Sequence, residues 1–375
     1  MLKYLKHNFS IDNMAMRYSV FAPRLFNFCL SLGMEPQKIM PSRAFCSDEN
    51  QGYPIILITK HFGTFPFNHG RVGGIVAIDR HTPHSEHGKD MVIIQASHVG
   101  YNPQTGEFGI YRRMQTEEHE HAADCGAICG VMSWYQEEYD FACKHIHLEV
   151  EKGIKYIVID NQLLTQNREQ GLFLHLHKLI ENYDPDEDNA VRSYSTARAY
   201  PASKLLIKRI GEQWPVKRTP IEVLLDESLF YFKRNVDMNE ASGYLNRNLL
   251  KSMSQIITSK FPSLVAAQVN TQIEFDRTFR SLVKEKSYRG KKLVFISGIH
   301  IDISPKDGEL FPLTKFVPWA AYIQTENGEG YTLEQKELFL ALNKQSNDNP
   351  HKIDLTAAIH KMEAEAEIQL SVDKE

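Results

Sequence analysis

Two apolar runs limit what this chain can fold into. Met91-Val92-Ile93-Ile94-Gln95-Ala96 is continuous rather than alternating, the pattern of a central strand covered on both faces. Leu293-Val294-Phe295-Ile296 leads through Ser297 and Gly298 into Ile299-His300-Ile301-Asp302-Ile303, a second strong strand signal. Helical segments alternate with such strands, which predicts an α/β protein. Tyr18 to Leu32, rich in Phe and Leu, reads as a helix with Gly33 as its stop. Pro54-Ile55-Ile56-Leu57-Ile58-Thr59 reads as a buried strand, and Asp124-Cys125-Gly126 opens a helix that reaches Trp134. Lys155 to Asp160 stands between strand and helix. Phe311 to Val317 is expected to be a strand near a sheet edge because of Pro312. Residues 184–189 form an acidic turn, residues 190–285 are mainly helical in pattern, and the tail from Leu333 reads as amphipathic helix.

Composition removes several classes of function. The 375 residues carry a net charge of −4, so no global basic field draws the chain to nucleic acid or an anionic membrane. No apolar run approaches the roughly 18 residues that span a bilayer. The N-terminus has no secretory pattern, which leads to the expectation of a cytoplasmic protein. Five cysteines at irregular spacing do not read as a disulfide framework. Gly70-Arg71-Val72-Gly73-Gly74 lacks dinucleotide-binding spacing, and neither a P-loop nor a Gly-x-Ser-x-Gly elbow is present.

The chemistry gathers at Cys46 with Asp48, at His98 after the first strand run, and at Cys125 where a helix begins. Two thiolates and one imidazole suit Zn²⁺, and three protein ligands leave the fourth position that a catalytic site needs. A cysteine at a helix N-terminus also has its thiolate favoured by the macrodipole. The same residues admit a second chemistry, in which Cys125 is a nucleophile paired with His98. That reading leaves Cys46 and Asp48 without a role. Cys129, four residues after Cys125, is read as packing rather than as a further ligand. His81, His84 and His87 form an i, i+3 series in a polar loop, and His119 and His121 precede the Cys125 helix. All five are read as surface histidines, with proton shuttling a lesser alternative for the last two.

The block from Ala96-Ser97-His98-Val99-Gly100 through Gly106 and Gly109 to Arg112-Arg113, followed by Asp124-Cys125-Gly126-Ala127, resembles the limiting-CO2-inducible protein B/C family, to which the theta-type carbonic anhydrases are related. Cys46-Ser47-Asp48-Glu49, Phe62-Gly63-Thr64-Phe65-Pro66-Phe67 and the segments Ile296–Ile303 and Phe311-Pro312-Leu313 extend the resemblance over roughly residues 40–330. The resemblance implies a β-carbonic-anhydrase-like sheet core flanked by helices, usually dimeric. Residues 1–40 would be an N-terminal helical segment and 41–335 the zinc-binding domain, with a helical insertion at about 160–285. Residues 336–375 would be a C-terminal helical tail. It further implies Zn²⁺ on Cys46, His98 and Cys125, and reversible hydration of CO2 to bicarbonate by a zinc-bound hydroxide. Asp48 either aims that hydroxide or closes the fourth position. Arg71, Arg112 and Arg113 are candidate substrate or loop contacts. One departure stands out. The arginine that β-type enzymes place two residues after the aspartate is Asn50 here, with Arg43 or Arg71 as possible substitutes. A bicarbonate-sensing or scaffolding homologue with weak or no turnover is the alternative.

Overall fold

The computed structural model describes residues 11, 13–77, 89–112, 121–160, 163, 169–183, 197–306, 308–309 and 312–365. Arg113, His81, His84, His87, His119 and the 184–189 turn lie outside these residues. Helix α1 (Tyr18–Ser31) buries Tyr18, Phe21, Leu25, Phe26 and Cys29 on one side, and Gly33, at φ 81°, ends it as expected. Strand β1 (Ile39–Ala44) follows. The next apolar run is a helix and not the strand expected: α2 spans Gly52–Phe62. Pro54 sits in its first turn, where the missing N–H is not needed, and Gly63, at φ 76°, closes it. Its run of Ile and Leu fits a buried helix face as well as a buried strand, and periodicity over so few residues does not separate the two.

Strand β2 (Asp90–Asn102) is longer than its apolar run. Helices α3 (Gly126–His145) and α4 (Pro262–Leu282) come next, then strands β3 (Leu293–Ile303) and β4 (Leu313–Gln324). The eight-stranded main sheet runs Met16–Arg17, β4, β3, β2, β1, Phe67–Asn68, with Gly330–Glu334 also on β4 and Glu107–Phe108 on β2. β3, β2 and β1 are parallel, whereas β4 is antiparallel to β3. β4 is therefore an interior strand, not the edge that Pro312 suggested. Met16–Arg17 and Gly330–Glu334, from opposite ends of the chain, cover its far side.

Alternation along β2 and β3 separates two cores. Val92, Ile94, Ala96, Val294 and Ile296 pack with Phe21, Leu25, Phe26, Leu57 and Ile58 of α1 and α2. Met91, Ile93, Leu293 and Phe295 pack with Phe275 and Leu282 of α4. Each such side chain contributes roughly 1.5–3 kcal/mol by leaving water, and the double covering is what their uninterrupted hydrophobicity anticipates. Residues 160–285 are not only helical. Lys155–Asp160 belongs to the strand Ile154–Asp160, which lies between Ile146–Glu151 and Ala197–Pro201 in a second, antiparallel sheet completed by Thr219–Pro220. Gly171–Leu174 pairs with Phe230–Lys233. Ile128, Val131 and Tyr135 of α3 join these elements to the main core. Helices Gln335–Asn343 and Leu355–Ala364 form the tail. No helix among the described residues is long and apolar enough to cross a membrane.

Candidate metal centre

β1 stops at Ala44, opposite Gln95 of β2. β2 runs on, so His98 lies inside the strand, not just beyond its end as the sequence suggested. The chain leaving β1 turns beside this uncovered length and delivers Cys46. Asp48 then caps a short 3-10 turn, its Oδ1 accepting from the Asn50 amide at 3.5 Å. The site is thus at the carboxyl end of a parallel strand, where open α/β sheets gather functional groups.

A glycine turn closes the same gap. Gln95 donates to the Gly74 carbonyl at 3.1 Å, and the Gly73 amide donates to Cys46 Sγ at 3.1 Å. Gly74 has φ +77°, and a side chain there would collide with the Ala96 carbonyl. Helix α4 holds the turn from behind. Asn270 donates to the Gly73 carbonyl at 2.9 Å and to Ser97 Oγ at 3.0 Å, and buried Glu274 accepts from the Val76 amide at 2.8 Å.

Cys125 arrives from the other side as the residue that caps α3, with φ 47° and ψ 78°. A non-glycine residue in that region carries strain that its surroundings must hold. They do so through Asp124. Its amide donates to the Gly109 carbonyl at 3.0 Å, and its Oδ1 accepts from Asn50 Nδ2 at 2.7 Å. Gly100 of β2 leaves room for it: a Cβ there would sit 2.6 Å from Asp124 Cβ.

Cys46, His98 and Cys125, all buried, place their sulfur and nitrogen atoms within 4.8 Å of one another. Tetrahedral bonds of about 2.3 Å to sulfur and 2.0–2.1 Å to nitrogen require ligand separations of roughly 3.5–3.8 Å, which this spacing accommodates. His98 Nε2 is buried without a hydrogen-bond partner. A buried polar atom of that kind is costly unless something binds it. The soft sulfur and imidazole donors fit zinc, and one coordination position beyond these three residues remains. Asp48 Oδ2 lies 3.9 Å from His98 Nε2, at the margin of the trio.

The electrostatics describe a site short of positive charge. The hydrogen bond from Cys125, helped by His98 and the Gly73 amide, holds the Cys46 thiol far below its ordinary range. Cys125 is the donor of that pair, and the Cys46 thiolate together with burial raises it well above the ordinary thiol. The helix-end thiolate expected at Cys125 is thus outweighed by a neighbouring thiolate. Burial opposes a charge on His98, but Cys125, Asp124 and Asp302 drive it well above the usual imidazole. Desolvation raises Asp48 to about 6 and Asp124 to about 7. Protons therefore occupy the places a cation would take, and a metal would displace them.

The other candidates are more dispersed. Arg71 stands over the Tyr244 ring at 5.8 Å. The Arg112 amide donates to Ser304 Oγ at 3.1 Å, tying its loop to the end of β3. Among the described residues no arginine forms an ion pair with Asp48, and Asn50 turns to Asp124 instead. Cys129 faces the carbonyls of Gly109 and Asp124 at 3.9 Å and is outside the trio. His121 Nε2 meets Asn102 Nδ2 at 3.0 Å. Sequence reasoning missed Asp124 and Asp302, which approach His98 Nδ1, and Gln51, which bonds Asp302. The signal for Asp302 was present: an aspartate and a histidine on one face of an otherwise apolar strand.

Residues 18–181 match the family described as limiting CO2-inducible proteins B/C beta carbonic anhydrases. The search of curated proteins gives no match. Among solved structures, the fold is similar to that of PtLCIB4, a homolog of the limiting CO2-inducible protein LCIB. The TM-score is 0.52 at 13% identity, over 89% of this chain and 99% of that one. A histidine-to-alanine mutant of PtLCIB4 matches with a TM-score of 0.51 at 12% identity, over 88% and 96% of the two chains.

Proposed function

We propose, from the premise that residues 18–181 belong to the limiting CO2-inducible B/C family, that this chain hydrates CO2 reversibly with zinc held by Cys46, His98 and Cys125. The observation that carries the reading is the trio itself: three buried soft donors within 4.8 Å of one another, one with an unpartnered ring nitrogen. Zinc bound there would supply hydroxide at neutral pH by acidifying water. The chain's own residues do the rest. Asp48, beside His98 Nε2, accepts a hydrogen bond from the attacking oxygen and aims its lone pair at the carbon of CO2. Ile75 and Ile128 share an apolar cluster with both cysteines and offer CO2 a dry surface. Water and CO2 give bicarbonate and one proton, which passes to solvent or buffer.

A second reading rests on one observation. Among the described residues no arginine forms an ion pair with Asp48, and the side chain of Asn50 bonds Asp124 instead. An aspartate left without that partner is freer to occupy the fourth position itself, which would favour a bicarbonate-binding homologue with little turnover. Stopped-flow CO2 hydration on protein of known zinc content separates the two. Turnover that disappears in Cys46→Ser supports the enzyme. Full zinc occupancy with only background hydration, accompanied by bicarbonate binding, supports the sensor.

A further inference from the structure

We propose that Asp302, from outside the family-matched segment, is the positioning residue that fixes the His98 ring for metal binding, with Gln51 and His300 locking Asp302 in turn. The inference rests on the reading that the trio holds a metal.

The register explains how Asp302 reaches the site. β2 and β3 are parallel, and His98 lies opposite His300. Asp302, two residues further on, is therefore on the same face of the sheet as His98. His98 Nδ1 donates to Asp302 Oδ2 at 3.1 Å. Asp124 Oδ1 is also near, at 3.5 Å, but that oxygen already accepts from Asn50. Asp302 is wholly buried and is held from two further directions. Gln51 Nε2 donates to its Oδ2 at 2.8 Å, and Thr314 Oγ1 donates to its Oδ1 at 2.8 Å. The Gln51 amide has one orientation available, because its carbonyl accepts from His300 Nδ1 at 2.6 Å. His300 is packed among the rings of Tyr18, Phe45 and Phe316, at 5.0, 4.6 and 5.8 Å. Each member of the chain from His300 to His98 thus sets the direction of the next.

The consequence is chemical. An imidazole that commits Nδ1–H to a carboxylate presents the Nε2 lone pair, and that lone pair is the metal ligand. Nε2 is left unpartnered in the site, as is Asp124 Oδ2. Without Asp302 the ring could rotate or bind through the other tautomer, and part of the metal affinity would go into fixing it.

The test compares zinc affinity, by competition with a chromophoric chelator, in the full chain, in Asp302→Asn and in Ser297→Ala. Ser297 is on β3 but on the opposite face, where its hydroxyl bonds Gln95, so it reports the cost of weakening the strand and the turn behind Cys46 without touching the His98 ring. Asp302→Asn is expected to bind zinc about 10–100-fold more weakly and to change the visible spectrum of the cobalt-loaded protein. Ser297→Ala, which also loosens Gln95 behind the glycine turn at Cys46, should lose less than Asp302→Asn, since its hydroxyl bonds no ligand and not the His98 ring. A folded Asp302→Asn with parental affinity, or an equal loss in Ser297→Ala, overturns the inference and leaves the metal centre standing. A parent chain that takes up no metal overturns the metal reading as well. Should Asp302→Asn not fold, the parent loaded with cadmium-113 and labelled with nitrogen-15 histidine answers the question. Metal coupling at His98 Nε2 with a proton on Nδ1 supports the inference, and coupling at Nδ1 overturns it.

Discussion

Gly100→Ala places one methyl group where β2 meets the segment that delivers Cys125. The new Cβ would stand 2.6 Å from Asp124 Cβ and 2.6 Å from the Ile110 carbonyl oxygen. Carbon atoms in contact rest at about 3.5–4.0 Å, so Asp124 must retreat by about 1 Å. Its bond to Asn50 and its amide bond to Gly109 both oppose that movement. The cost should be about 1–3 kcal/mol, the usual range for overpacking. Cys125 is the next residue, and metal–ligand distances tolerate only about 0.2 Å. Zinc affinity should therefore fall at least about tenfold, as for other losses of ligand support. Denaturant unfolding of the metal-free protein gives the first quantity and chelator competition the second. Gly106→Ala is the control. It has φ +72° with nothing within 4 Å of its Cβ, so it should cost about 1 kcal/mol in backbone strain and leave zinc affinity unchanged. Parental zinc affinity in a destabilised Gly100→Ala would refute the reasoning.

Three further outcomes follow from the same contacts. Glu274→Ala removes the acceptor of the Val76 amide, of Asn248 and of Arg277; unfolding stability should drop by about 3 kcal/mol, the lower end for a broken buried pair because Arg277 stays partly hydrated. Burial holds His61 and His69 at about 4, so the unfolded chain takes up their protons first as pH falls from 6.5. They favour folding above that range and lose their contribution on the way down to about 4. Asp48 and Asp124, raised by burial, act in the opposite sense in the metal-free protein. The informative measurement is therefore differential: His61→Asn should flatten the dependence of stability on pH between 4 and 6.5 by up to about 1.4 kcal/mol per pH unit. Finally, chelation should lower the melting temperature of the zinc-loaded chain, by an amount equivalent to about 4 kcal/mol if free zinc stood at a thousand times the dissociation constant. Cys46→Ser should erase the difference between chelated and zinc-loaded samples.

The elements the sequence revealed are those whose local pattern has one physical solution. Met91–Ala96 and Leu293–Ile303 are too apolar to be anything but doubly covered, and they form the centre of the sheet. Tyr18–Ser31 has a helical stripe and a glycine stop. Pro54–Thr59 was misread because its helix shows the pattern of a buried strand, and only the chain before it reveals a helical first turn. β4 looked like an edge because of Pro312, but the strand starts only at Leu313, and one of its two covering strands, Met16–Arg17, comes from the far end of the chain. The strands Ala197–Pro201 and Phe230–Lys233 are short, half exposed and stabilised by distant pairing, which a local pattern does not encode. In the candidate site, residue type together with the family resemblance pointed to Cys46, His98 and Cys125, which lie together. The residues that hold them were hidden because support is a matter of register. Asp302 reaches His98 only after two strands far apart in sequence lie side by side, and Asn50 reaches Asp124 only once β1 has ended.

Zinc content and X-ray absorption at the zinc edge, measured on the full chain, test the central claim most directly. The account predicts zinc near one per chain, with two sulfur ligands at about 2.3 Å and nitrogen or oxygen ligands at about 2.0–2.1 Å, and loss of one sulfur in Cys125→Ser. Absence of zinc after reconstitution, or a coordination shell without sulfur, would contradict it.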